Sequence, residues 1–207
     1  MIIKIDKNYT LTALQEARLA LFPGASSINA WNSQANIIKE IKESIRSQLL
    51  LIQKNKCCYC GLQLWQTSAN EIEHIAPKAS RIKAYPEFAF TKMNLALACE
   101  LCNGIHRKWE TDTIWIYNAQ YNFCTFKLVH PYLDNPDNHY GWVYNSTKVV
   151  MSHKTLKGQY SISLFGLNEI PRIEARASQR NYEKTKRKYG LRQNALNKIK
   201  AIVNFYK

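Results

Sequence analysis

Cys57-Cys58-Tyr59-Cys60-Gly61 and Cys99-Glu100-Leu101-Cys102-Asn103 each carry a C-x-x-C. Two residues between thiolates let one tight knuckle present both sulfurs to a metal while backbone N–H groups point at them. Two knuckles supply four soft ligands in a tetrahedron, the arrangement of a structural zinc ion (Zn2+). Cys57, Cys60, Cys99 and Cys102 are therefore the expected zinc ligands. Cys58 would offer only a C-x-C to Cys60, a poorer chelate, so Cys58 and Cys124 are expected to be ordinary thiols. The 38 residues between Cys60 and Cys99 exceed the ~15–20 of a simple zinc ribbon, so a folded insertion lies between the knuckles.

That insertion contains Glu71-Ile72-Glu73-His74-Ile75-Ala76-Pro77-Lys78, in which polar residues alternate with apolar Ile72 and Ile75. The pattern predicts a short strand ending at Pro77, where the ladder loses a donor. Asn94-Leu95-Ala96-Leu97-Ala98 predicts a second strand running directly into the second knuckle, and Asn103-Gly104-Ile105-His106-Arg107-Lys108 the start of a helix. Roughly 50 residues bury too little apolar surface to stand alone, and a metal clip at both ends supplies the missing stability.

Through these residues, segment 57–108 resembles the HNH endonucleases of the ββα-metal superfamily, specifically their zinc-clipped branch. The matching residues are C-x-Y-C-G at 57–61, I-E-H-I-x-P-K at 72–78, N-L-x-L-A-C at 94–99 and C-N-G at 102–104, about a quarter of the chain. Beyond it, residues 2–7, His130-Pro131 through Asn138-His139, and Leu167-Asn168 are loosely similar to small stand-alone HNH nucleases of prokaryotic anti-phage systems. Among these is the nuclease subunit of Septu-type systems, which partners an ATPase.

The resemblance implies a metal-dependent endonuclease that hydrolyses phosphodiester bonds in DNA, with RNA as an open alternative, leaving 5′-phosphate and 3′-hydroxyl ends. It places His74 as general base, which suits an imidazole that titrates near neutral pH. Glu73 would turn a hard oxygen toward a divalent ion such as Mg2+ or Mn2+, with Asn103 as second ligand. Asn94 would steady the loop that carries the base. His106 stands where related zinc-clipped members usually carry lysine. At i+3 from Asn103 on a helix it would share a face with it, as an extra ligand or a phosphate contact. Lys78, Arg107 and Lys108 are expected to meet phosphates.

The chain as a whole is 207 residues with 46% hydrophobic and 21% charged residues, a globular composition. No stretch approaches the ~20 uninterrupted apolar residues of a membrane span, and the N-terminus lacks the long apolar run of a secretory signal, so a cytoplasmic chain is expected. The net charge of +14 points to a polyanionic partner, most simply nucleic acid. Residues 1–56, 57–108, 109–171 and 172–207 carry nets of +4, +2, −1 and +9, so most of the field comes from the last 36 residues. Arg172, Arg176 and Arg180 recur there at i, i+4, i+8 on one helical face and are expected to contact phosphates.

The expected fold is α+β: a helical scaffold with an embedded zinc-clipped ββα-metal motif and a small additional β region. Its organisation is an N-terminal helical part (1–56), the nuclease core (57–110), and an aromatic and β part followed by basic helices (111–207), all in one compact domain. A strand is expected over residues 2–5, a helix over 10–21, and a long amphipathic helix over 33–54 with Ile37, Ile41, Ile45, Leu49 and Ile52 on one face. Ten aromatics crowd residues 109–144 and are expected to be mainly core. Strands are expected over 142–151 and 160–165 with a turn at Lys157-Gly158. Asn168 is expected to cap a helix with Pro171 in its first turn, and a last helix to follow Gly190 over 191–205. A second functional reading is a zinc-dependent nucleic-acid-binding module without catalysis. A third is a nuclease latent until its ATPase partner binds, in which case the basic C-terminal helices form the interface.

Overall fold

The computed structural model describes residues 2–65 and 70–188. Helix α1 (Ala13–Ala20) starts at a capping box: the Thr12 hydroxyl accepts from the Gln15 N–H, and the Gln15 side chain accepts from the Thr12 N–H. A short helix α2 (Ser27–Asn32) carries buried Ala30 and Trp31. Helix α3 (Asn36–Ile52) buries Ile38, Ile41, Ile45 and Leu49. The inward stripe thus begins at Ile38 and not Ile37; Ile37 and Ile52 lie at its margins, partly buried. Lys54 and Asn55 both adopt positive φ, 53° and 56°, and turn the chain from α3 into the first knuckle.

Strands β1 (Asn70–His74) and β2 (Leu95–Cys99) pair antiparallel in a register that sets Asn70 opposite Cys99 and His74 opposite Leu95. All five residues of β2 are buried. Its outer edge is satisfied by a side chain: buried Gln53 accepts from the Leu97 N–H (2.7 Å) and donates to the Leu97 carbonyl (2.9 Å). An amide here does what a third strand would otherwise do. The first knuckle is tied to the same strand, the Cys58 N–H donating to the Leu97 carbonyl at 3.0 Å.

Helix α4 (Glu100–Asn103) follows β2 without a gap. Two expectations change here. The strand expected to reach Pro77 stops at His74, and the expected helix from Asn103 is a single turn that ends there. Gly104 closes it, its N–H donating to the Glu100 carbonyl at 2.6 Å while its own backbone is extended. A glycine costs a helix interior roughly 1 kcal/mol relative to alanine, and the chain leaves the helix at that point.

Beyond, β3 (Ile114–Ile116) pairs with β4 (Thr125–Phe126) through a register shift, and α5 (Pro136–His139) leads into β5 (Tyr140–Trp142), paired with β6 (Met151–His153). The strand expected over 142–151 is in fact the loop of this hairpin with only its ends paired. Residues 160–165 are not a strand: they belong to α6 (Leu156–Leu164) and its C-cap, with Thr155 as N-cap. The inward residues of this region are Gly158, Ser161 and Phe165. Two of the three carry little or no apolar side chain, so apolarity alone misreads the helix. Gly158 lies inside α6, not at a turn, and is glycine for close packing: a Cβ there would sit 2.2 Å from the His139 carbonyl oxygen.

Helix α7 (Ile170–Lys188) holds Pro171 in its first turn as expected. Asn168 does not cap it. Its amide instead pairs both the N–H (2.9 Å) and the carbonyl (2.8 Å) of Met151, and the Glu169 carbonyl accepts the first helical N–H groups. Residues 2–5 form no strand; the Ile5 N–H donates to the Pro131 carbonyl. Gly190 and the helix expected over 191–205 lie outside the described residues. One buried cluster runs from Ile5 to Leu167 and includes Tyr121, Phe126, Tyr132 and Tyr140, whereas Trp115, Tyr117, Phe123 and Tyr144 are exposed. The architecture of the described residues is mixed α+β with three small two-stranded sheets. Among the described residues no helix is long and apolar enough to cross a membrane.

Candidate functional site

The register of β1 and β2 brings the two knuckles together. The sulfurs of Cys57, Cys60, Cys99 and Cys102, all buried, lie within 4.8 Å of one another. Cys60 and Cys99 Sγ are 3.8 Å apart, too far for a disulfide and equal to the about 3.8 Å that four Zn–S bonds of ~2.3 Å require in a tetrahedron. Gly61 takes φ 69° at the first knuckle, and the Cys99 N–H approaches Cys57 Sγ at 3.4 Å. Burial alone would push the Cys57 thiol up; hydrogen bonds from Cys102, Cys58, Cys60 and Cys99 outweigh it and hold Cys57 well below the ordinary thiol range. Cys58, pushed well above that range by burial and then by Cys57, stays outside the cluster, as does Cys124, which exchanges hydrogen bonds with Asn118. The four sulfurs fit a zinc ion.

Arg172 and Arg176 are not on the surface. Arg172 is 4% exposed; its guanidinium approaches Cys99 Sγ (3.7 Å) and Cys102 Sγ (3.5 Å) and donates to the Leu101 carbonyl (2.7 Å). Arg176, 5% exposed, donates to the carbonyls of Val149 and Leu167. Four thiolates on one zinc leave a net charge near −2, and Arg172 supplies a delocalised cation with N–H groups directed at two of them. The expected role of these two arginines as phosphate contacts is thereby corrected: Arg172 anchors α7 to the four-cysteine cluster, and Arg176 ties it to the carbonyls of Val149 and Leu167. Arg180, farther along α7, is half-buried and lines a surface cavity with Lys56 and Lys184.

His74 ends β1, buried, with Nε2 3.1 Å from the Ala89 carbonyl oxygen. A carbonyl only accepts, so Nε2 carries the hydrogen and Nδ1 keeps its lone pair. The edge of Trp31 packs on the ring at 4.3 Å, and Lys42 and Lys78 lie over the same indole at 5.0 and 5.8 Å. Burial first, then Lys78 and Lys108, hold the imidazole well below its ordinary range, so it is neutral at pH 7. His74 lines a cavity of ≈ 190 Å³ together with Glu73, Lys78, Asn103 and Lys108.

Asn94 is completely buried and pairs across that loop. Its Oδ1 accepts from the Ala76 N–H (2.7 Å) and the Tyr121 hydroxyl (3.0 Å); its Nδ2 donates to the carbonyls of Phe88 (2.9 Å) and Ala76 (3.2 Å). Tyr121 is in turn 2.8 Å from His130 Nε2. His130 Nδ1 accepts from the N–H groups of Tyr132 and Leu133, which leaves the hydrogen on Nε2, donating to the tyrosine oxygen. Phe88 precedes Ala89, so this chain of bonds fixes the carbonyl that orients His74.

Lys108 departs most from expectation. It is 2% exposed, with Nζ 2.7 Å from Glu73 Oε1 and donating to the His74 carbonyl. Glu73, 3% exposed, accepts from the Tyr59 hydroxyl (2.9 Å) through the same oxygen. Burial raises its carboxyl above the ordinary range, against the pull of Lys108 and Tyr59. Lys108 is therefore the buried counter-ion of Glu73 and not a surface phosphate contact. A Mg2+ or Mn2+ ion needs hard oxygens not already committed to another cation. With Glu73 Oε1 committed to an ammonium, that oxygen does not fit such an ion in this arrangement; Asn103 directs its amide N–H at Glu71 Oε2 (2.7 Å), a contact that does not use its Oδ1.

His106 is exposed beyond the end of α4, so the helical face it was expected to share with Asn103 is absent. Arg107 pairs with Glu169 at the start of α7. Lys78, half-buried, remains in the cavity beside His74. No role at the site was expected of Tyr59, Lys42, Tyr121 or His130, although Tyr59 lies in the C-x-Y-C-G match, Tyr121 among the aromatics of 109–144 and His130 in the loose similarity at His130-Pro131.

No protein-family model matches this sequence. The chain is similar to Septu protein PtuB of Bacillus thuringiensis, 29% identical over 133 residues that cover 64% of this chain and 44% of that protein. It is also similar to Septu protein PtuB of Bacillus mycoides (strain KBAB4), 28% identical over 153 residues, 65% of this chain and 50% of the relative. The chain spans about half the length of the curated relatives it matches.

Proposed function

We propose that this chain is an HNH-type endonuclease that hydrolyses DNA phosphodiester bonds in prokaryotic anti-phage defence, as the cytoplasmic nuclease partner of a Septu-type ATPase. The observation that carries this reading is His74: a buried, neutral imidazole with one nitrogen held on a backbone carbonyl and the other left as a base, in a cavity shared with lysines. The similarity to Septu protein PtuB supports a Septu-type role, to which the family resemblance adds the defence function and the ATPase partner.

In this reading a water molecule gives its proton to His74 Nδ1 as its oxygen attacks phosphorus, the P–O3′ bond breaks, and the departing O3′ takes up a proton. Lys78 faces the charge that develops on the phosphoryl oxygens. Asn94 acts through Ala89 by holding the imidazole in place. The resemblance implies Mg2+ or Mn2+ on Glu73 and Asn103, which requires Glu73 Oε1 to be released from Lys108.

The second reading, zinc-dependent nucleic-acid binding without catalysis, draws on the closed Glu73–Lys108 pair and the net charge of +14. The experiment that separates the two is incubation of the zinc-loaded chain with supercoiled plasmid in a magnesium and manganese series. Nicked or linear product with 5′-phosphate ends is expected. Retarded but uncut plasmid under every ion favours the binding module, and cleavage only on addition of the ATPase favours the latent form.

A further inference from the structure

We propose that Lys108 occupies the cation position beside Glu73 and competes with a divalent metal ion for it, so that the arrangement described above is the closed form of the hydrolytic site. The inference takes its purpose from the nuclease reading but is tested without it. A lysine and a glutamate at 2% and 3% exposure are rare unless each satisfies the other, and here they do: Nζ lies 2.7 Å from Glu73 Oε1 and also donates to the His74 main chain. Tyr59 completes the shell of the same oxygen at 2.9 Å. A second cation on that oxygen would face an ammonium within a few ångströms in a poorly solvated site, where like charges repel most strongly. Ammonium and metal ion therefore exclude one another.

The segment that delivers Lys108 is built to withdraw it. Residues 104–110 are turns and not helix, and Trp109 sits at φ 31°, outside the conformations a non-glycine residue ordinarily adopts. The segment also reverses the usual partition: Ile105 and Trp109 are 63% and 52% exposed while its lysine is inside. A shift of these turns would remove the ammonium without disturbing the pairing of β1 with β2. Arg107, the neighbour of Lys108, is bound to Glu169 where α7 begins, so whatever moves α7 moves the same segment.

The test is Mn2+ binding to the zinc-loaded full chain, read by electron paramagnetic resonance, in which zinc is silent. Lys108→Met is expected to bind Mn2+ at least tenfold more tightly than wild type, and the double variant Lys108→Met/Glu73→Gln to lose that gain. Equal affinity in wild type and Lys108→Met, including no binding by either, overturns the proposal. So does a gain that survives Glu73→Gln, since the ion would then be bound elsewhere. Should Lys108→Met fail to retain zinc, Lys108→Gln keeps a neutral N–H for the Glu73 oxygen and carries the same expectation. Plasmid cleavage is not read in this experiment, so an inactive wild type would defeat the nuclease reading while leaving the competition result standing.

Discussion

Every polar atom of the Asn94 amide is used, and one of its partners, the Tyr121 hydroxyl, links it to His130. Tyr121→Phe strands the Asn94 oxygen short of one donor and the His130 Nε2–H without an acceptor. A loss of about 1–3 kcal/mol in urea unfolding is expected, the ordinary cost of an unsatisfied buried polar group. His130 itself is held down to about 3, first by burial and then by Lys157, with Asp134 opposing. Its folded value lies below the unfolded ~6.5, so the unfolded chain binds the proton first as pH falls. Stability should drop between about pH 6.5 and pH 3, by up to about 1.4 kcal/mol per unit, and His130→Gln should flatten that slope in denaturant titrations across the range. That His74 and Asn103 share one cavity was legible because their motif is local and contiguous with the cysteines. The inward turn of Tyr59 and Lys108 onto Glu73 was not, although both lie in the same segment, and His130 reaches the site from a distant stretch of chain; no period or spacing announces either meeting.

The zinc knuckles and both strands between them were readable to within a few residues, since thiolate spacing and an apolar run fix them locally. Helix α6 was not, because its inward face is made of glycine and serine. Gly158→Ala tests that face. Alanine is worth roughly 1 kcal/mol in intrinsic helix propensity, yet its Cβ would meet the His139 carbonyl, and overpacking of this kind costs about 1–3 kcal/mol. A net loss of stability in thermal or urea unfolding is expected, where an exposed glycine in the same helix would give a gain. Leu49→Ala, in the stripe of α3 that supports β2, should cost about 2–5 kcal/mol by the same measurement.

At the scale of the molecule, charge was read correctly in amount and only partly in place. The basic C-terminal stretch suggested an arm for phosphates, but a helical period says which residues share a face and not which way the face turns. Arg172 and Arg176 turn inward, and Arg172 closes on the thiolates. The four-cysteine cluster therefore joins the knuckles, the ββ pair and α7. Arg172→Ala is expected to weaken zinc retention by roughly 10–100-fold against a chromophoric chelator, the range found for partners of metal ligands. Stripping zinc altogether should lower the melting temperature and loosen α7 together with the histidine cavity, seen as faster amide exchange in both. The most direct measurement of the whole account is single-turnover cleavage of supercoiled plasmid by wild type and His74→Ala, each verified to hold one zinc per chain. A base of this kind contributes about 10²–10⁴-fold, so the variant should be slower by at least about 100-fold with its zinc intact. Equal rates at equal zinc content would contradict the assignment of His74 as the base.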